Sequence, residues 1–318
     1  MTRNLVLTST VATLYSSEMR ANFHLHSRFS DGTDWPQDVA QRACAAGIKY
    51  VSLTDHDSLG GVPEFLEAAF HYGLRAVPGV EIDCRAPEID YRSELLAYFP
   101  SGSFKNTQAF LEEVLVERLR IAKEAIQKAS YHFPGTKLSF ETLLDRKRAG
   151  RAELGSDVFS FNKVDIFLYL QSEGAIPQNV EYKAFKAAYF DSKLLSDSSR
   201  GKPSCTELAH AVLADGGYLV VPHIGHEFSD SASHMEKEYE RLGKMLDYFK
   251  DIGISGLELY WYRNPDTTAI NKLVRKAAKG RSLFCTYGSD CHGPLSGKET
   301  MASFSGNFKQ FPKQEISR

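Results

Sequence analysis

The feature that most limits how this chain can fold is a repeated alternation of short β-rich runs with helical periodicities. Residues 21–25 begin it: Ala21, Phe23 and Leu25 alternate with Asn22, His24 and His26, so period two puts both histidines on one face. Further β-branched and aromatic runs follow at 48–54, 75–83, 94–99, 218–222, 255–261 and 282–287, seven in all. Helical patterns separate most of them, at 36–47, 62–71, 204–216, 235–252 and 266–278. Pro36 suits a first helical turn, and Ser204 with Glu207 three residues on forms a capping box. Strand–helix alternation argues for a mainly parallel α/β sheet, closing as a barrel. The connection between 83 and 94 is the exception. About ten residues cannot carry a helical crossover, so a regular eight-fold barrel is not expected.

Residues 101–203 break the alternation. Phe110, Val114, Leu115, Arg118, Ile121, Ala122, Ala125 and Ile126 share one face of a long helix, and shorter helical patterns follow at 138–148, 164–172 and 181–189. The expected organisation is a barrel from residues 1–100 and 204–318, with 101–203 as a helical insertion. With 42% hydrophobic and 25% charged residues the chain is neither disordered nor fibrous. Its 38 basic residues against 40 acidic ones leave a net charge of −2, which disfavours long nucleic acid as a partner. No apolar run approaches the length of about 18 residues that a membrane span needs. Five irregularly spaced cysteines without a C-x-x-C read as free thiols in a reducing compartment. Arg3 and Leu5-Val6-Leu7 begin like an export leader, but hydroxyl residues interrupt the stretch and no A-x-A site follows, so a cytoplasmic protein is expected.

Imidazoles and carboxylates collect at the ends of the predicted strands. His24 and His26 close the first, with Asp31 in the following loop; Asp55, His56 and Asp57 follow the second; Glu81 lies near the end of the third. Glu94 opens the fourth, His223 ends the fifth, and Asp290 and His292 follow the seventh. In parallel α/β architectures the C-terminal strand ends converge on one site. An H-x-H pair alone is weak, but this many ligand-type groups at successive strand ends predict a centre for Mn, Fe or Zn, with room for two ions around a bridging carboxylate.

These residues resemble a known family. His24-Leu25-His26-Ser27 with Ser30-Asp31-Gly32, then Leu53-Thr54-Asp55-His56-Asp57, Pro78-Gly79-Val80-Glu81-Ile82, Pro222-His223 and Gly288-Ser289-Asp290-Cys291-His292-Gly293 are similar to the motifs of the PHP (polymerase and histidinol phosphatase) metal-dependent phosphoesterases. The resemblance covers roughly 20–100 and 204–300 and extends loosely to the branch with a helical insertion, which includes nucleotide-bisphosphate phosphatases. It implies an α/β fold: a distorted seven-stranded (β/α)7 TIM-like barrel holding two or three divalent ions. On this resemblance His24 and His26 bind a first metal and Glu81 bridges it to a second, which His223 completes. Asp31, His56 and His292 bind a third, and Asp290 closes the site near the first. Three positions depart from the pattern. Glu94 stands where a histidine is usual, either as a harder ligand favouring Mn or Fe or as a weaker second site. Lys163-Val164-Asp165-Ile166-Phe167 replaces R-P-H-I-A, and His226 replaces an arginine.

The expected activity is hydrolysis of a phosphate ester of a small molecule or nucleotide, by attack of a hydroxide held between two metals. Lys163, His226, Arg263 and Ser30 are the expected substrate contacts. His223, His226 or a water supplies the leaving-group proton. Asp55 is expected to orient His56 and Asp57 to cap the next helix, with Cys291 not a ligand. The aromatic run Tyr260-Trp261-Tyr262 reads equally as a base-stacking platform or as rim packing, and Arg146, Lys147, Arg148 and Arg151 as a solvated helix face. Three other readings stay open: a nuclease trimming short oligonucleotides from one end, a C–N hydrolase, and a non-catalytic metal-binding module. Long nucleic acid and membranes are not expected partners; protein partners are unassigned.

Overall fold

The computed structural model describes residues 19–196 and 202–313. The leader-like stretch at 1–18 and part of the predicted insertion, 197–201, lie outside the described residues. The first half runs β1 (Arg20–Asn22), α1 (Pro36–Ala45), β2 (Tyr50–Val51), α2 (Val62–His71), β3 (Arg75–Ala76), β4 (Gly79–Asp83) and β5 (Glu94–Tyr98). Four helices follow: α3 (Lys105–His132), α4 (Phe140–Arg148), α5 (Lys163–Ser172) and α6 (Tyr182–Lys186). Then come α7 (Cys205–Ala214), β6 (Tyr218–Val221), α8 (Ala232–Lys237), α9 (Tyr239–Asp251), β7 (Gly256–Tyr260), α10 (Thr267–Gly280), β8 (Phe284–Gly288) and β9 (Gly306–Asn307). The local signals hold where they were strongest. Pro36 starts α1, and Ser204 and Glu207 cap α7 reciprocally.

The result is a mixed α/β fold with two sheets, β3-β2-β1-β9 and β4-β5-β6-β7-β8. The run 75–83 is two strands, not one. Pro78 has no amide hydrogen to donate, so β3 stays with β2 while β4 pairs with β5. The short connection after Asp83 makes β4 and β5 antiparallel over five residue pairs, from Gly79↔Tyr98 to Asp83↔Glu94. β5 is also antiparallel to β6, while β6, β7 and β8 are parallel. Reversing that one strand brings its N-terminal residue, Glu94, level with the C-terminal ends of its neighbours. The sheet edges approach each other twice: the Phe23 amide donates to the Tyr287 carbonyl at 2.8 Å, and the Asp57 amide to the Glu81 carbonyl at 2.7 Å.

The long helix predicted over 110–126 spans all of Lys105–His132. Leu111 and Val114 pack into the core around β4–β7, whereas Ala122, Ala125, Ile126 and Ala129 pack with Leu143, Phe161, Phe167 and Phe185 in a separate apolar cluster. Phe29 is the one fully buried member of that second cluster from outside 101–203, so the loop after β1 is held under the helices. No helix among the described residues is long and apolar enough to cross a membrane.

Candidate metal centre

The strand ends bring the predicted ligands together. His24, His26 and Glu81 are almost fully buried. The Glu81 carboxylate is the hub: Oε2 stands 3.0 Å from His24 Nε2, 3.4 Å from His26 Nε2 and 3.3 Å from His56 Nδ1, and Oε1 is 3.2 Å from His223 Nε2. Three overlapping groups have ligand atoms within 4.8 Å of one another: His24, His26 and Glu81; Glu81, Glu94 and His223; and His26, Asp31, His56 and His292. Asp290 joins no group, but its Oδ1 lies 3.2 Å from His26 Nε2 and 3.2 Å from His292 Nδ1.

Electrostatics and hydrogen bonding fit a divalent cation here. Burial, reinforced by His292, pushes the His26 imidazole down to about 3, so it is neutral at physiological pH, the form that ligates. Burial alone would raise the Glu81 carboxyl, but His24 and His56 hold it well below the usual range. Burial would lower His56, yet Glu81 and Asp31 raise it to about 9. His26 Nε2 and Asp31 Oδ1 are buried without a hydrogen-bond partner. A neutral ring nitrogen facing carboxylates off any hydrogen-bond line is an arrangement that a shared cation satisfies.

Glu258, which sequence reasoning missed, orders this centre from behind. It is fully buried in β7; Oε1 lies 2.8 Å from His24 Nδ1, and Oε2 accepts the His223 amide at 3.0 Å. A carboxylate on the far ring nitrogen leaves the near one free to ligate. A Cβ at Gly288 would overlap both the Glu258 carboxylate and His24, so the strand beside this pair admits only glycine. The available signal was a charge inside the otherwise apolar run Gly256–Tyr260.

Several expectations need correction. Ser30 is fully buried and donates its hydroxyl to Asp55 at 2.5 Å, so it cannot reach a substrate. Asp55 does not orient His56: it also accepts the Ser27 amide at 2.7 Å and the Ser27 hydroxyl at 2.6 Å, which places it in the loop scaffold rather than at reacting atoms. Asp57 does not cap α2. It accepts the Asp83 amide at 3.0 Å and Arg118 Nε at 2.8 Å. Lys147 is not on a solvated face; it is buried and donates to the Ser30 carbonyl and to Asp165. Arg263 is exposed and reaches the Gly297 carbonyl at 3.4 Å, apart from the cavity over the ligand groups. Tyr260 and Tyr262 are buried, one donating to Asp290 and the other accepting the Gly225 amide, and Trp261 stacks on Phe304; these rings are rim packing. Cys291 needs no such correction: not expected as a ligand, it sits in the core and joins none of the three groups.

Above the centre lies a cavity of about 530 Å³ with Asp31, His56 and His292 on its floor. Arg92, Lys163, Lys186, Lys202 and Lys298 stand around it. Lys202 pairs with Asp83 at 3.0 Å and Lys298 with Asp290 at 3.0 Å, but among the described residues Lys163 and Lys186 have no carboxylate partner. Burial, with Lys186 and Lys202 nearby, pushes Lys163 down to about 8. His226 is exposed, with Nδ1 2.6 Å from Asp230 Oδ1 and its ring 4.6 Å from that of His223.

The PHP domain profile matches residues 22–259, most of the chain and all but the last of the strand ends described. The chain belongs to the PHP family of metal-dependent phosphoesterases. A phosphoribosyl 1,2-cyclic phosphate 1,2-diphosphodiesterase from Eggerthella lenta is 25% identical over 276 residues, 86% of this chain and 95% of that protein. A 3',5'-nucleoside bisphosphate phosphatase from Chromobacterium violaceum is 43% identical, but over only 61 residues, 19% of this PHP chain and 21% of its own length. Among solved structures, a Bifidobacterium adolescentis protein assigned as a metal-dependent phosphoesterase superposes with a TM-score of 0.64 at 25% identity, covering 86% of this chain and 87% of its own.

Proposed function

We propose that this PHP protein hydrolyses a phosphate ester of a small molecule carrying a second anionic group, a nucleotide among the candidates. The observation that carries the reading is the cavity: ligand-type residues form its floor, and its wall includes Lys163 and Lys186, which have no carboxylate partner among the described residues. In this reading His24, His26, Glu81, Glu94, His223, Asp31, His56 and His292, with Asp290 beside them, hold two or three divalent ions. Bound there, the ions polarise the phosphoryl group and lower the pKa of water. The chain's own residues do the rest. Lys163 and Lys186 draw in the anionic substrate, and Lys163, a point charge without the arginine fork, holds a phosphate oxygen. His226, held by Asp230 with its ring beside His223 but outside the residues lining the cavity, is read as the group that passes a proton to the leaving oxygen. Carboxylate ligation by Glu94 favours Mn or Fe over Zn.

We further read the two sheets as one distorted barrel, a view the two seam hydrogen bonds support, and 101–203 as an insertion covering the cavity. A covered cavity of this size suits neither a long duplex nor a second macromolecule, in keeping with the net charge of −2. The diphosphodiesterase and bisphosphate phosphatase among its relatives support the substrate class. The test is phosphate release from a panel of mono- and bisphosphorylated sugars and nucleotides with Mn(II), run beside a dinucleotide. Release from the small esters, abolished by chelator, is expected. Cleavage of the dinucleotide alone would establish the oligonucleotide-trimming reading instead, and metal binding without any turnover would leave a non-catalytic module.

A further inference from the structure

The loop from Ser27 to Gly32 carries Asp31 into the centre, and two contacts from the segment 101–203 grip the carbonyls just before it. The Ser160 amide donates to the Phe29 carbonyl at 2.8 Å, and the Lys147 ammonium donates to the Ser30 carbonyl. Lys147 reaches this point from α4, more than a hundred residues away in sequence. Its side chain is 5% exposed, with Asp165 of α5 at 2.6 Å as its only carboxylate partner among the described residues and the Phe161 ring at 5.8 Å. On the other side of the loop the Ser30 hydroxyl meets Asp55 at 2.5 Å and lies 3.4 Å from His26 Nδ1. Gly32 closes the turn against Ser27 at 2.9 Å, where a side chain would collide with the His26 backbone. The loop therefore has little freedom except through the Phe29–Ser30 carbonyls, and Ser160 and Lys147 of the segment 101–203 occupy both.

We propose that Lys147 is a positioning residue: through the Ser30 carbonyl, α4 sets where Asp31 stands, and so tunes the one ligand group that contains Asp31. This rests on the metal centre proposed above. A buried ammonium on a main-chain carbonyl polarises that peptide and resists its rotation, and such outer partners of a metal site typically alter affinity by about 10- to 100-fold. The other two groups, His24/His26/Glu81 and Glu81/Glu94/His223, do not include Asp31. The effect of Lys147 is thus confined to one ion, whereas a tie that merely fastened the helices to the sheets would weaken the whole fold and every site alike.

The test is equilibrium dialysis of purified protein across a range of free Mn(II), for wild type, Lys147→Met, Asp165→Asn, Asp31→Ala and the Lys147→Met/Asp31→Ala double variant. Wild type should retain at least two ions. Lys147→Met should weaken one of them about 10-fold or more and leave the rest unchanged, with Asp165→Asn shifting the same ion by less. The double variant should bind as Asp31→Ala alone does, because both act on one ion. Unchanged isotherms in Lys147→Met and Asp165→Asn, uniform weakening of all ions, or additive losses in the double variant would overturn the proposal. Should Lys147→Met fail to fold, Asp165→Asn alone and with Asp31→Ala decides by the same criteria. A wild type that retains no Mn(II) would instead refute the metal centre itself.

Discussion

At the residue scale, side chains behind the ligands matter as much as the ligands. Glu258 does not line the cavity over the centre, yet it holds His24 Nδ1 and the His223 amide at once. Glu258→Gln keeps the shape and removes the charge, so Mn(II) affinity should fall about 10- to 100-fold with little change in far-UV circular dichroism. Dialysis against Mn(II) measures this, and wild-type affinity would reduce Glu258 to packing. Lys163 lines the cavity itself. Lys163→Ala should raise KM for a small phosphate ester about tenfold, about 1.4 kcal/mol, with metal content intact. The pH dependence has a definite sign. The ammonium is present below its pKa of about 8 and is lost above it, so the wild-type KM should climb as the pH passes 8. In Lys163→Ala that climb should disappear; a KM profile identical to wild type would remove Lys163 from the binding wall.

At the element scale, α3 is fastened to the sheets by charge. Arg118 bonds Asp57 at 2.8 Å and also Asp83, linking the loop after β2, which carries His56, to β4, which carries Glu81. Burial alone would raise the Asp83 carboxyl, but Arg118 and Lys202 hold it far below the usual range. Arg118→Met would leave the buried Asp57 without its cation while Asp83 keeps Lys202, so a loss of about 3 kcal/mol in urea unfolding is expected. A loss below about 1 kcal/mol, the range of exposed pairs, would show that water reaches this cluster. This tie was half legible in the sequence. Arg118 falls on the apolar face of the predicted helix, a place where an arginine needs a partner. Nothing local names Asp57 and Asp83 as that partner, because they lie 61 and 35 residues away.

At the scale of the whole molecule, the centre joins both sheets. His24, His26 and His56 follow strands of one, while Glu81, Glu94 and His223 belong to the other. Ions bound there select the folded over the unfolded chain. Saturation at about a hundredfold above Kd adds about 2.7 kcal/mol, and removing such an ion should lower Tm by roughly 5–10 °C. Thermal melts with and without chelator check this, and coincident melts would mean that the two sheets hold together without ions.

The sequence by itself determined what depends on neighbours along the chain. Period-two and helical patterns placed most of the strands and helices, the capping box at Ser204 started α7, and the short gap after Asp83 excluded a helical crossover where the chain forms the antiparallel β4–β5 pair. Residue types at strand ends assembled the ligand list, because parallel strands deliver their C-terminal ends to one place. Only the tertiary structure decided what each side chain faces. Ser30 and Asp55 turn to each other, Tyr260 spends its hydroxyl on Asp290, Lys147 dives under a distant loop, and Glu258 takes up two histidines. The physical reason is that a buried polar group must find a partner, and folding supplies partners from anywhere in the chain.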